Sequence, residues 1–414
     1  MIKSFRQKQT DTEPMKAIDI IQNDIAAAYP EIHAVRLNTL FTFVDSGMHD
    51  QRLSVSYLGR GLKSRSSTEK KHDIKRADRL IGNEHLHRER QYFYEYMTEQ
   101  LVGKQVTPII TVDWSPINGN GQFQLLRASI PMTGRTLTLV EKVYPESQLN
   151  SEHAHQALLD ELEQCLPTDC QPIILSDAIF RTPWFKAIEA KGWFWVGRVR
   201  GNISLSTDTS NWESCHHYYR QATGKPTALG LVCYGKSIGF QCHGVLYKER
   251  GKGRKKLKKR GGESQCTTDK YQQQKAKEPW FLVHNLPPKR FGGAEKVVKL
   301  YKQRMQIEEN FRDTKNAKLG LSIEFANSKT AKRFDNLLLI ASLILFVLWA
   351  IGYTVSQMNN SRRLQANTIQ YRQVLSFIYL GREAVGDPRY EPESEFVVYT
   401  LEQLWMLTVT VDRL

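Results

Sequence analysis

Apolar residues along the chain follow two periods, and the change between them divides the sequence. From Met15 to about Gly103 the spacing is helical throughout. KAIDIIQNDIAAAY precedes Pro30, and EIHAVRLNTLFTFVDSGM runs to a glycine-containing break. LSVSYLGRGL and the basic segment KKHDIKRADR (Lys70–Arg79) follow, and Glu84 to Leu101 closes the region as another helix. Ahead of it, residues 1–14 read as a loose, charged tail. No apolar segment follows that tail, so it is not a signal peptide.

A strand-rich block comes next, over residues 104–200. PIITV (Pro108–Val112) is a short β-branched run that ends on Asp113. Phe123–Ile130 and Thr136–Val143 are strand-like and are joined by Met-Thr-Gly-Arg, a hairpin signature. Glu152–Cys165 is helical and stops before Pro167, and PIILS (Pro172–Ser176) then ends on Asp177. A helix around Trp184–Lys191 and the strand WFWVGRV (Trp193–Val199) complete the block. The order strand, strand, strand, helix, strand, helix, strand predicts an α/β domain of ribonuclease-H-like architecture. Sites in open α/β sheets lie at the carboxyl ends of strands, which is where Asp113 and Asp177 fall.

Residues 201–279 read as a β-rich insertion, with strands near Ala228–Tyr234 and Ser237–Tyr247 and a basic loop KERGKGRKKLKKR (Lys248–Arg260). The α/β pattern resumes over 280–355, from the strand WFLVH (Trp280–His284) through the helix Lys329–Tyr353. Residues 356–414 are expected to form a helical C-terminal region, with helices near Asn367–Tyr379 and Glu395–Val409.

Between these lies LYKQRMQIEENFRDTK (Leu300–Lys315), free of Gly and Pro and rich in good helix formers, so one uninterrupted helix is predicted. At roughly 100° per residue, Tyr301, Arg304, Glu308 and Lys315 fall within about 60° of one another, with Arg312 beside them. One acid among several phosphate-binding donors suits a phosphodiester backbone approached with a metal ion. A solvated face with Glu–Arg pairs has the same spacing. Asp113, Asp177 and Glu308 together form a set of hard oxygen donors able to hold two Mg²⁺ ions, since Mg²⁺ takes few carboxylates and keeps places for substrate oxygens.

The charge balance, 58 basic against 43 acidic residues or +15, points to a polyanionic partner. It favours DNA contact by the N-terminal helices, through Lys75, Arg76 and Arg79, and by Arg254, Lys255 and Lys256 of the basic loop. The six cysteines show no CxxC pair, so reduced thiols and a cytoplasmic location are expected. Cys215-His216-His217 and Cys242-His243 match no common zinc spacing. Leu337–Tyr353 is 17 residues without a charge and barely reaches bilayer length; a buried core helix gives the same signal and is the expectation, with no membrane partner.

With these residues in place, the sequence resembles the DDE transposases of bacterial insertion sequences, in particular the insertion-sequence-four family and its transposon-ten-like branch. The resemblance is carried by TVDWS around Asp113 and LSDAIF around Asp177. It is carried also by Tyr301, Arg304, Glu308 and Lys315 at intervals of three, four and seven positions, with RMQIEENFRDTK intact around them. HDIKRADRLIGNEHLHRER (His72–Arg90), WFWVGRVRG (Trp193–Gly201) and AKEPW (Ala276–Trp280) extend it over nearly the whole chain. It implies a cut-and-paste transposase with a ribonuclease-H-like core, in which Asp113, Asp177 and Glu308 bind two Mg²⁺ ions, for which Mn²⁺ substitutes. Nicking, hairpin formation, hairpin opening and strand transfer would follow. Tyr301, Arg304 and Lys315 would grip the phosphates of the transposon end, Trp280 would stack a flipped base and Met305 would fill the vacated space. The implied partners are double-stranded DNA, as terminal inverted repeats and target, and a second copy of the chain in a homodimeric synaptic complex. A ribonuclease-H-like nuclease without strand transfer, and an inactive DNA-binding remnant acting as a repressor, are the competing functions.

Overall fold

The computed structural model describes residues 16–50, 52–62, 67–249, 266–267, 278–358, 361–366, 368–369 and 371–414. The expectations for the 1–14 tail and for Arg254, Lys255 and Lys256 lie outside the described residues. The chain divides into two units. One comprises Met1–Gly103, Ile117–Asn120 and Arg312–Leu407, and the other Lys104–Pro116, Gly121–Phe311 and Thr408–Leu414.

In the second unit the β-branched runs pair into one mixed sheet. Its strands are β1 (Ile109–Pro116), β2 (Phe123–Pro131), β3 (Thr136–Pro145), β4 (Ile173–Ser176), β5 (Phe194–Val199), β6 (Ser204–Ser206), β7 (Glu213–Ser214), β8 (Thr227–Tyr234), β9 (Phe240–Tyr247) and β10 (Trp280–His284). Their order across the sheet is β3-β2-β1-β4-β5-β10-β9-β8-β6-β7. β1, β2 and β3 are antiparallel neighbours, and β1, β4 and β5 are parallel. The β2–β3 turn falls at Met132–Arg135 as the sequence predicts, with Met132 N donating to Arg135 O at 2.7 Å and Gly134 at φ 75°, a left-handed position that glycine enters at little cost. The strands of the insertion do not make a separate sheet. β10 pairs with both β5 and β9, so the insertion prolongs the first sheet.

Sheet burial is built from the inward faces of these strands. Ile109, Ile173, Leu175, Val196 and Leu282 share one core cluster with Val298, Leu300 and Tyr301 of the helix Ala294–Gln303. Each fully buried aliphatic side chain there contributes about 1.5–3 kcal/mol.

The first unit is helical. Its helices Ala17–Ala28, Ala34–Asp50 and Glu84–Val102 pack around the 27-residue helix Ala331–Gln357, which is a buried core helix as expected but belongs to this helical unit and not to the α/β domain. The most apolar window of that helix is 94% buried. Ile344 and its neighbours fill the interior, and the buried carboxylate of Asp335 is met by Arg90 at 2.9 Å and His87 at 3.1 Å. Two glycines set the crossing with the helix Phe377–Val385: a Cβ on Gly352 would stand 1.7 Å from Phe377 O, and one on Gly381 2.0 Å from Leu348 O.

Both C-terminal helices differ from expectation. The first starts at Phe377 rather than near Asn367, because Gln365 donates to the carbonyls of Ile369 and Arg372, holding a loop, and Ser376 caps the helix at Tyr379 N. The last ends at Glu402, followed by a 3₁₀ turn over Leu404–Leu407; beyond it Val409 N donates to Pro131 O at the end of β2.

Candidate active site

Two aspartates are placed by strand register. The parallel pair β1–β4 ends its register at Val112↔Ser176, and Asp113 and Asp177 are the next residue on each chain. Neighbouring strands lie about 4.8 Å apart, so the two carboxylates leave the sheet side by side. Both are anchored by backbone: Asp113 Oδ1 accepts from Trp114 N at 2.8 Å and Asp177 Oδ1 from Ile179 N at 2.8 Å.

The third acid arrives on a helix, but not on the uninterrupted one that the sequence predicts. The chain forms a helix over Ala294–Gln303 and another over Gln306–Lys315, with a tightened turn between them. There Arg304 N bonds Tyr301 O, Met305 N bonds Lys302 O and Ile307 N bonds Arg304 O, each three residues back instead of four. Arg304 is drawn inward at this turn. Its Nη1 donates to Asp113 Oδ2 at 3.0 Å and its Nη2 to Glu308 Oε1 at 3.0 Å, so one guanidinium joins a strand acid to the helix acid. Nη2 also lies 3.2 Å from Met305 Sδ.

The four signature residues therefore do not share a solvent face. Tyr301 is 2% exposed, its ring meeting Trp280 edge-on at 5.2 Å, and burial raises its phenol pKa. Arg304 is buried as well, whereas the Glu308 side chain is 53% exposed. Trp280 is buried between Tyr247, at 5.6 Å, and Tyr301, with the Arg198 guanidinium 5.9 Å from its ring. Met305 is exposed. Arg312 and Lys315 occupy the last turn of the second helix, beyond the point where the chain passes from one unit to the other.

Electrostatics tie the acids together. Burial, opposed by Arg304 and reinforced by Asp177 and Glu308, pushes the Asp113 carboxyl up to about 7. A buried carboxyl with other acids beside it is relieved by a cation, and the donor set is all oxygen, which suits Mg²⁺. Among the described residues no three of His, Cys, Asp or Glu stand close enough to enclose an ion as placed, Glu308 being turned to Arg304. Cys215 opens a short helix and Cys242 lies in β9.

Two supporting networks escaped the sequence reading. Arg127 of β2 and Glu141 of β3 face each other in register and are fully buried, with Nη2–Oε2 at 2.6 Å. Arg127 also donates to Asn310 Oδ1, and Asn310 Nδ2 donates to Thr136 O at 2.9 Å, which fastens the acid-bearing helix to the sheet. Arg127 pairs with Asp113 across β1–β2, so the anchor and the acid are neighbours. The signal was present: a charge in each of two apolar strands. The second network braces the strand ends. Trp114 Nε1 donates to His155 Nε2 at 3.1 Å, and Trp184 Nε1 to Ser176 Oγ at 3.2 Å, so an indole fixes the residue beside each aspartate. Burial lowers the His155 pKa to about 4 and keeps the ring a neutral acceptor.

In the helical unit, Arg76 and Arg79 line a cavity of about 330 Å³ with His33, Val35, Arg36, Thr39, Leu80 and Asn83, and Lys75 lies exposed on the same helix, Lys70–Ile81. The sequence profile of the transposase DDE domain matches residues 104–345, a span that includes all three acids. No curated protein matches the chain.

Proposed function

Since the chain belongs to the transposase DDE domain family, we propose that it is a cut-and-paste DNA transposase that binds terminal inverted repeats, excises its element through nicked and hairpin intermediates, and joins it to target DNA. The observation that carries this reading is the meeting of Asp113 and Glu308 on Arg304, with Asp177 in the adjacent register position. The strand order β3-β2-β1-β4-β5, antiparallel then parallel, supports a ribonuclease-H-like core.

Asp113, Asp177 and Glu308 are the residues that would hold Mg²⁺ or Mn²⁺. Such ions, when bound, lower the pKa of an attacking water or 3′-hydroxyl and neutralise charge on the leaving oxygen. The chain's own residues do the rest. Asp113 and Asp177 keep fixed directions because one oxygen of each accepts from backbone, while the second oxygen of Asp113 is held by Arg304. Arg304 holds Glu308 beside Asp113 and carries the charge that a phosphate would meet, and the Tyr301 ring, 5.9 Å from its Cζ, supports it from below. Arg312 and Lys315 extend the positive charge along the helix, and Lys75, Arg76 and Arg79 contact repeat DNA. Met305 is exposed enough to enter a duplex; Trp280 stacks on a displaced base only if Tyr247 or Tyr301 withdraws. Synapsis of two ends makes the working form a homodimer, acting in the cytoplasm.

The test uses the inverted repeats expected to flank the gene. Purified protein is mixed with a plasmid carrying a marker between them, with and without Mg²⁺, beside Glu308→Gln and Asp113→Asn. Mg²⁺-dependent excision through hairpin-ended fragments is expected, slowed by about a thousandfold or more in either variant, the several kcal/mol a metal ligand supplies. Nicking without hairpins or joining would make the protein a nuclease, and binding without cutting a repressor-like remnant.

A further inference from the structure

The helical unit contains a second feature suited to DNA that no phosphate-gripping role explains. After the helix that ends at Lys315 and a turn over residues 316–322, the chain forms a 3₁₀ segment, Ile323–Phe325, and leaves Phe325 61% exposed. Leu53 N donates to Leu321 O at 2.8 Å, fastening this loop to the start of the short helix Val55–Gly61. Between the two segments is a cavity of about 260 Å³, lined by Arg52, Leu53, Ser54, Tyr57, Ala317, Ser322 and Phe325. The Arg52 guanidinium lies 4.9 Å from the Tyr57 ring centre while its Nη1 donates to the Tyr57 hydroxyl at 2.7 Å, so a flat cationic and aromatic pair forms part of the wall.

We infer that this cavity captures one unstacked nucleobase of the bound DNA, held by the Arg52–Tyr57 pair and Phe325. Aromatic rings and guanidinium planes stack on the face of any base, and such a wall is how single-stranded nucleic acid is held. The volume lies just below the range of pockets for drug-sized ligands, which fits one ring system whose sugar and phosphate remain outside. The hydroxyl of Ser54 accepts from Tyr57 N and keeps its own hydrogen for a base edge. Arg52 gives the wall a positive charge, and the loop follows in sequence the helix whose last turn bears Arg312 and Lys315. The ligand class rests on the transposase reading; the pocket rests on residues that reading does not use.

The test measures binding of the full-length protein to a duplex of the flanking repeat, intact or with one terminal base at a time replaced by an abasic analogue. Phe325→Ala, an exposed change, is expected to weaken binding of the intact duplex about tenfold. Phe325→Trp keeps a stacking ring and is expected to bind like the wild type, with unchanged melting of both variants. On the duplex lacking the captured base the penalty of Phe325→Ala is expected to disappear. Equal affinities of Phe325→Ala and wild type on every duplex would overturn the pocket, as would a penalty that stays the same at every abasic position. If the wild type binds and cuts the intact duplex while either of these results holds, only the pocket fails. If the wild type neither binds nor cuts it, the transposase reading fails and the pocket falls with it.

Discussion

The helices Ala331–Gln357 and Gln306–Lys315 are held in place by opposite means. The first is apolar over most of its length and is buried by many interchangeable contacts, with two glycines permitting one close crossing. The second carries two acids in its first turn and two cations in its last, and beside the buried Ile307 and Phe311 it is fixed by a few specific polar contacts: Asn310 with Arg127, and Glu308 with Arg304. Apolar burial accumulates in small equal steps, so losing one contact is tolerable. Buried polar anchoring is all or nothing, because removing one partner leaves the other desolvated and unpaired.

The largest expected effect tests that asymmetry directly. Arg127→Met should destabilise the protein by about 3–5 kcal/mol, since the fully buried Glu141 carboxylate loses the guanidinium that faces it. The double variant Arg127→Met with Glu141→Leu should recover most of that loss, and denaturant unfolding of all three proteins measures it. A double variant as unstable as the single one would show that Arg127 matters for shape rather than charge. Cleavage should remain impaired in the double variant, because Asn310 has still lost the guanidinium that fastens the helix.

On the apolar side, Gly352→Ala should cost about 1–3 kcal/mol or somewhat more, the penalty of overpacking, since its methyl would meet the Phe377 carbonyl at 1.7 Å. Gly386→Ala is the control: its Cβ would be no nearer than 3.5 Å to any neighbour, and its φ is an ordinary −76°. Thermal unfolding of the pair separates close approach from loss of glycine as such. Equal melting of the two variants would remove the crossing from the account of how the apolar helix is held.

The same contrast decides what was legible beforehand. Helix Glu152–Cys165 and strand Trp280–His284 were read to the residue, because periodicity and flanking prolines or charges are local. Asp177 was legible because it follows the end of β4, and Asp113 because it closes a β-branched run, although β1 itself continues to Pro116. The break at Arg304–Met305 was not, since no Gly or Pro interrupts Leu300–Lys315 and the Arg304 guanidinium at the turn is bonded to Asp113, 191 residues away in sequence. Arg127, Glu141 and His155 were missed for the same reason: their partners come from other strands and helices. Phe377 displaced the predicted helix near Asn367 because Gln365 satisfies the backbone locally, a choice that composition does not reveal.

The smallest expected effect concerns His155, where the polar and apolar modes of support overlap. Its ring is packed among Trp114, Phe180 and Trp184, with centroids at 5.0–6.0 Å, yet it also accepts the Trp114 indole N–H. Its folded pKa, about 4, lies below the ordinary 6.5 because burial penalises the charged ring. The sign follows: the unfolded chain binds a proton that the folded one does not, so the contribution is present above pH 6.5 and lost as pH falls to about 4. At its steepest that loss is about 1.4 kcal/mol per pH unit. His155→Phe keeps the ring volume and removes both nitrogens. At pH 8 it should be less stable by about 1 kcal/mol or slightly more, the cost of leaving the indole N–H unmet. Between pH 6.5 and 4 its stability should fall less steeply than the wild type's, so the two curves converge or cross. Buried His284, also lowered to about 4, titrates alike in both proteins and cancels from the difference. Urea unfolding across that range reads the result. Parallel curves would mean that His155 supports the strand end beside Asp113 by packing alone, as the apolar helix is supported, and not by its accepting nitrogen.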